Sequence, residues 1–252
     1  MRLLAVESAT SNLSVALLEC EVVVAQTDEE AEHAHGRLLL PAIDRLLTQR
    51  GWTLSDLNGL AVSIGPGSFT GLRVGLATVL GFRSVLGLPL AAVPTLEAMA
   101  WNLKSQDPPL VPLVRARTGE VYWAMYRWTS AGVLTRVLDE RVGPVEQVLK
   151  AIHGPTTVFG EGWEAYRTTS QAYRAAREHE VVEAPVQARC TSAASVGRAG
   201  LRMLERGEVA PIGIAPRYVQ RTEAEALWER RVTGTTAGCA SPRADDRSRS
   251  QH

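Results

Sequence analysis

The chain runs through one order of secondary-structure elements and then begins the same order again, a pattern that few folds accommodate. Apolar runs predict strands over 3–6, 13–18 and 22–26, the last two close enough for a hairpin through Glu19, Cys20 and Glu21. Leu38, Leu39, Ala42, Ile43, Leu46 and Leu47 then recur at three-and-four spacing, predicting a helix that Pro41 kinks or begins. A buried strand over 60–64, a helix over 69–87, a strand over 90–93 and a helix over 96–103 capped by Thr95 complete the first half. After a polar, proline-bearing stretch at 104–109, strands over 110–114, 121–128 and 133–140 reopen the pattern. A helix over 145–152, a strand over 157–160 and a helix over 162–178 extend it. Three antiparallel strands followed by alternating helices and strands imply a mixed sheet flanked by helices, and the doubling implies two such α/β halves. The repeat is of architecture and not of sequence.

Beyond the second half, a helix over 193–206 rich in small residues ends at Gly207, and 222–231 can form a last helix. Residues 234–252 hold almost no apolar groups and read as a disordered tail. The expected domains are therefore 1–104, 105–231 and a tail at 232–252.

Charge narrows the function. Lys and Arg together number 27 and so do Asp and Glu, so no global field favours nucleic acid or an anionic membrane. Three cysteines without CxxC spacing argue against a disulfide framework or zinc site and for a reducing cytoplasm. The N-terminus lacks the pattern of a signal peptide, and no run reaches the ~20 apolar residues of a membrane helix.

Residues 65–73, Gly-Pro-Gly-Ser-Phe-Thr-Gly-Leu-Arg, join a strand to a helix. Such a loop presents backbone N–H groups and a positive helix end, which can hold an anion. Phosphate-transfer spacing is absent: Thr70 stands where the P-loop has its second glycine, and Gly71 comes one residue late for a dinucleotide fingerprint. A tight turn that starts a helix fits the same residues.

That loop, with Leu3-Leu4-Ala5-Val6-Glu7-Ser8-Ala9-Thr10, residues 35–47 and Gly119-Glu120-Val121-Tyr122-Trp123-Ala124, resembles the TsaB family over roughly residues 1–230. TsaB proteins are the inactive paralogues of TsaD/Kae1, which make threonylcarbamoyladenosine (t6A) in tRNA. The resemblance implies two ribonuclease-H-like halves of the actin-like (ASKHA) class. It also implies a non-catalytic scaffold that pairs with TsaD, recruits the ATPase TsaE, meets tRNA indirectly through the complex and can form homodimers alone.

Against that resemblance, Glu7, Thr10, Gly65, Gly67 and Ser68 mark a degenerate nucleotide loop. Glu7 stands where relatives usually carry an Asp that holds Mg²⁺ through water, and its extra methylene matters where Mg²⁺ demands tight geometry. The reading favoured for the same residue is a strand-end acid capping the turn at 8–11. Arg115 stands where relatives show a second Asp, and it reads as a surface arginine at a strand end. Glycines 154, 160 and 162 are scattered, not an adenosine loop, and Glu161 with Glu164 reads as a helix-start pair complementing the dipole. The histidines read as solvated side chains, and neither HExxH nor GxSxG occurs. No metal, cofactor or catalytic residue is expected. An autonomous actin-like ATPase or small-molecule kinase is the alternative, with a metallopeptidase third.

The positive signal is for association. The helix over 69–87 is apolar nearly all round, with Gly71, Gly75 and Thr78 as a row of small residues. Leu38, Leu39, Ile43, Phe69, Leu72, Gly75 and Val79 are the expected partner-facing residues. Burial between the two halves of the chain itself would explain the same pattern.

Overall fold

The computed structural model describes residues 1–103, 108–167 and 181–219. The expected linker at 104–107, the helix beyond 167, the last helix at 222–231 and the tail lie outside the described residues. Two five-stranded sheets carry the fold. The first contains β1 (Arg2–Glu7), β2 (Asn12–Glu19), β3 (Val22–Glu30), β4 (Gly59–Ser63) and β5 (Leu90–Val93), in the order β3-β2-β1-β4-β5. The second contains β6 (Leu110–Arg115), β7 (Val121–Trp128), β8 (Leu134–Gly143), β9 (Thr156–Phe159) and β10 (Val181–Glu183), in the order β10-β9-β6-β7-β8. Read from the other edge, the second order is the first, and in both the opening three strands are antiparallel and the rest parallel. The doubled α/β architecture expected from sequence is present.

The run Leu3-Leu4-Ala5-Val6 is continuously apolar because both faces of β1 are covered. Leu4 and Val6 face a core shared with α1 (His35–Arg50) and α2 (Phe69–Leu86), while Leu3 and Ala5 face α6 (Ala193–Glu205). Helix α6 sits close to the sheet because its glycines allow it: a Cβ on Gly200 would stand 2.6 Å from Ala61 Cβ. Thus a helix that follows the second sheet in sequence packs on the first, which the element order alone does not reveal. Around the second sheet, α3 (Thr95–Ala100) packs on one face, and α4 (Val145–Ala151) with α5 (Glu161–Tyr166) on the other.

Several boundaries differ from expectation for identifiable reasons. Strand β3 continues through Thr27–Glu30 because its pairing with β2 persists where the sequence turns polar, an edge strand with one face in solvent. Strand β8 similarly runs to Gly143. Pro41 lies inside α1 instead of its first turn; it is on the exposed side, where water can serve the carbonyl it leaves free. Thr95 is the first residue of α3 and not its cap, its hydroxyl instead accepting from Gly65 N at 3.2 Å. Helix α2 is capped at its start by Ser68, whose Oγ accepts from Gly71 N at 3.2 Å, and ends at Gly87 in the left-handed conformation. By length and composition α2 could cross a membrane, but Leu72, Leu76 and Val79 are buried in the chain's own core.

Candidate functional site

The turn between β1 and β2 is held by the glycine loop. Ser68 N donates to Ala9 O at 2.6 Å, Ser8 Oγ donates to Gly71 O at 3.0 Å, and Glu7 Oε1 accepts from Ala9 N at 2.6 Å. Side chains on Gly67 or Gly71 would overlap the carbonyl oxygens of Ala9 and Ser8. The N–H groups of Gly65, Ser68 and Gly71 are all spent on this chain. Through these three amides the loop acts as a collar that fastens the turn, as the tight-turn alternative describes.

Glu7 is fully buried. Burial raises its pKa from 4.5 to about 7, against the opposing hydrogen bond from Ala9, and its Oε2 has no hydrogen-bond partner.

A cavity of about 450 Å³ opens beside this turn, where the ends of both sheets meet. Thr10, Ser11 and Asn12 line it from the β1–β2 turn, Arg115 from the end of β6, Gly160, Glu161 and Glu164 from the start of α5, and Arg189 to Thr191 from the chain before α6. Of the five residues assigned to a degenerate nucleotide loop, only Thr10 lines the cavity; Glu7, Gly65, Gly67 and Ser68 do not. Thr10 Oγ1 lies 2.9 Å from Thr191 Oγ1, and its carbonyl is 2.9 Å from His35 Nε2. His35 is therefore buried and not solvated as expected, and burial lowers its pKa.

Two acids and two arginines, Glu161, Glu164, Arg115 and Arg189, are the charged residues of the cavity wall. Glu161 Oε1 accepts from Arg115 N at 3.3 Å, and burial raises the pKa of Glu161. Glu164 pairs with Arg189 at 2.5 Å and with Arg167 at 3.0 Å, so Arg189, also bonded to Glu183, carries no free charge into the cavity. The acid pair stands in the first turn of α5, as expected of a pair that complements the dipole, and it also lines the crevice. Sequence reasoning missed this, although Gly160 and Gly162 flank Glu161 for a reason: both pack against the Leu113 backbone. Among the described residues no three His, Cys, Asp or Glu side chains are grouped to hold a metal.

The expected partner-facing residues divide. Leu39, Ile43, Leu72, Gly75 and Val79 are buried in this chain: a Cβ on Gly75 would overlap Ser8 Oγ, and the others pack in its own interior. Leu38 is partly buried against the same core, and Phe69 remains exposed. The exposed side of α1 and α2 consists of other residues, including Leu40, Thr70, Ala77, Gly81 and Val85.

Two related five-stranded sheets with a crevice between their strand ends define an actin-like protein of the ASKHA class. A family model described as TsaD, tRNA N6-adenosine threonylcarbamoyltransferase, matches residues 21–228. The chain is 36% identical over 172 residues to the tRNA threonylcarbamoyladenosine biosynthesis protein TsaB of Escherichia coli, covering 66% of this chain and 74% of that one. It is 27% identical to TsaB of Bacillus subtilis, covering 90% of this chain and 98% of that one. A solved Pseudomonas aeruginosa protein, described as uncharacterized with similarity to peptidase YeaZ, superposes with a TM-score of 0.73 at 28% identity, over 87% of this chain and 99% of that one. The chain belongs to the TsaD family, on its TsaB branch.

Proposed function

We propose that this chain is a non-catalytic scaffold subunit of the t6A-forming machinery. It pairs with a TsaD-family subunit in the cytoplasm and supports that subunit's transfer of threonylcarbamoyl to an anticodon-loop adenosine of tRNA. The observation that carries this reading is the burial of Glu7. The residue at the metal-holding position of the class is enclosed in the core and absent from the crevice wall. The glycine-loop amides named above are spent within the chain, and Glu161 accepts from Arg115 N at the crevice wall. The exposed side of α1 and α2 supports association, since Leu40 and Val85 are open to solvent beside the small residues Ala77 and Gly81. TsaD shares the fold, so the equivalent helix pair of a TsaD subunit can pack there about a pseudo-twofold axis. Recruitment of TsaE, indirect contact with tRNA and a homodimer through the same helices in isolation belong to the same reading.

The cavity itself favours the alternative, an autonomous ATPase or kinase, because it occupies the nucleotide crevice of the class. Calorimetric titration with a TsaD-family subunit, beside a steady-state ATPase assay of the chain alone, separates the two. The scaffold reading expects a stoichiometric complex and no turnover; turnover by the chain alone without complex formation overturns it.

A further inference from the structure

After α6 the chain turns back as a strap, residues 209–219, along α2. Ala210 N donates to Leu90 O at 2.8 Å, and Arg83 of α2 donates to the carbonyls of Ala210 and Pro211 at 2.8 and 3.0 Å. Further along, Arg217 N donates to Ile64 O at 2.6 Å, and its Nε lies 3.3 Å from Glu140 Oε2, a carboxylate side chain only 3% exposed. A Cβ on Gly65 would stand 2.5 Å from Arg217 O, so the glycine loop also makes room for the strap. The strap ends on the first turn of α2: Tyr218 stacks on Phe69 with ring centroids 5.2 Å apart, and Arg73 Nε donates to Tyr218 Oη at 2.9 Å. The Arg73 guanidinium lies 3.7 Å from the Phe69 centroid.

This cluster is fixed on one side and open on the other. Phe69 and Tyr218 are each 40% exposed, and Arg73 pairs with no carboxylate among the described residues. Exposed, mutually immobilised aromatic and arginine side chains are the composition of binding hot spots, because ordering them costs little further entropy on association. The cluster adjoins the open side of α2, since Thr70 is next in sequence and Ala77 is one turn beyond Arg73.

The geometry points to Phe69, Arg73 and Tyr218 as an anchoring contact for the TsaD-family subunit, with the strap supplying one of the three and the partner meeting Arg73 with a carboxylate. This rests on the heterodimer reading. Arg73 would then exchange water for a charge-assisted bond as the aromatic pair is covered.

The test is calorimetric titration of a TsaD-family subunit against the full chain and its Tyr218→Ala, Tyr218→Phe, Arg73→Glu and Ala77→Arg variants, with melting temperature recorded for each. Tyr218→Ala and Arg73→Glu are expected to weaken binding by about tenfold or more, and Tyr218→Phe, which keeps the stack, by less than about threefold. Arg73→Glu is also expected to flatten the salt dependence of binding. Because Arg73 is exposed, this variant keeps the test decisive if Tyr218→Ala loosens the strap. If both bind within about twofold of the unaltered chain while Ala77→Arg abolishes binding, the anchor is overturned and the heterodimer stands. If the unaltered chain does not bind, both are overturned.

Discussion

Gly75 stands so close to Ser8 that any Cβ on the glycine would overlap the serine Oγ, which itself donates to Gly71 O. The row of small residues on α2 therefore lets the helix close on the β1–β2 turn of its own sheet. Gly75→Leu overpacks this contact and is expected to cost ~1–3 kcal/mol of stability, despite better helix propensity. Denaturant unfolding measures the loss. Affinity for a TsaD-family subunit measured on the surviving folded fraction is expected to be unchanged; a selective loss of affinity at full stability would place Gly75 at an interface.

Glu7 makes stability depend on pH. Its pKa is raised from 4.5 to about 7 by burial, so between these values the folded chain holds a proton that the unfolded chain has released. Stability falls as pH rises through that window, by on the order of 3 kcal/mol in all. Glu7→Gln keeps an acceptor for Ala9 N and has no charge to bury. Its stability is expected to exceed that of the unaltered chain at pH 8 and to approach it at pH 4, as read from urea midpoints at the two pH values.

Arg217 and Glu140 form a pair of unequal exposure, Arg217 at 44% and Glu140 at 3%. Burial raises the pKa of Glu140, with Arg217 the foremost charge opposing the shift. Removing the arginine leaves a buried carboxylate unpaired, while the arginine's own exposure discounts the loss to about 1–2 kcal/mol. A double-mutant cycle with Glu140→Gln tests this: Arg217→Ala is expected to cost little once the charge is gone.

No ATP or sugar-phosphate turnover is expected from the chain alone. Glu7→Ala is accordingly expected to leave the signal at background while altering stability. Turnover that this substitution abolishes in a still-folded chain would restore the enzymatic reading.

The doubled order of strands and helices was legible because each half repeats the same change from strand to helix periodicity, and β1, with both faces covered, is one unbroken apolar run. The return of α6 to the first sheet was not legible, since nothing in 193–205 says which sheet its glycines approach. Burial on α2 was half legible: an all-round apolar helix had to be covered twice, but only the contact between Gly75 and Ser8 shows which side meets the chain itself. The acid pair at the start of α5 was legible, but its place in the crevice was not, because Glu161 meets Arg115, 46 positions earlier. The strap escaped notice because Arg217 and Tyr218 sit in a stretch without periodicity and acquire meaning only against Glu140, Phe69 and Arg73.

The most direct measurement of the central claim is t6A formation on unmodified tRNA in a reconstituted mixture containing a TsaD-family subunit, TsaE, threonylcarbamoyl-adenylate and this chain. Formation is predicted to require the chain, to persist with Glu7→Gln, and to fail with Ala77→Arg on the open side of α2. Formation that proceeds without the chain, or that fails with Glu7→Gln while the Ala77→Arg variant remains active, would contradict a scaffold working through that helix.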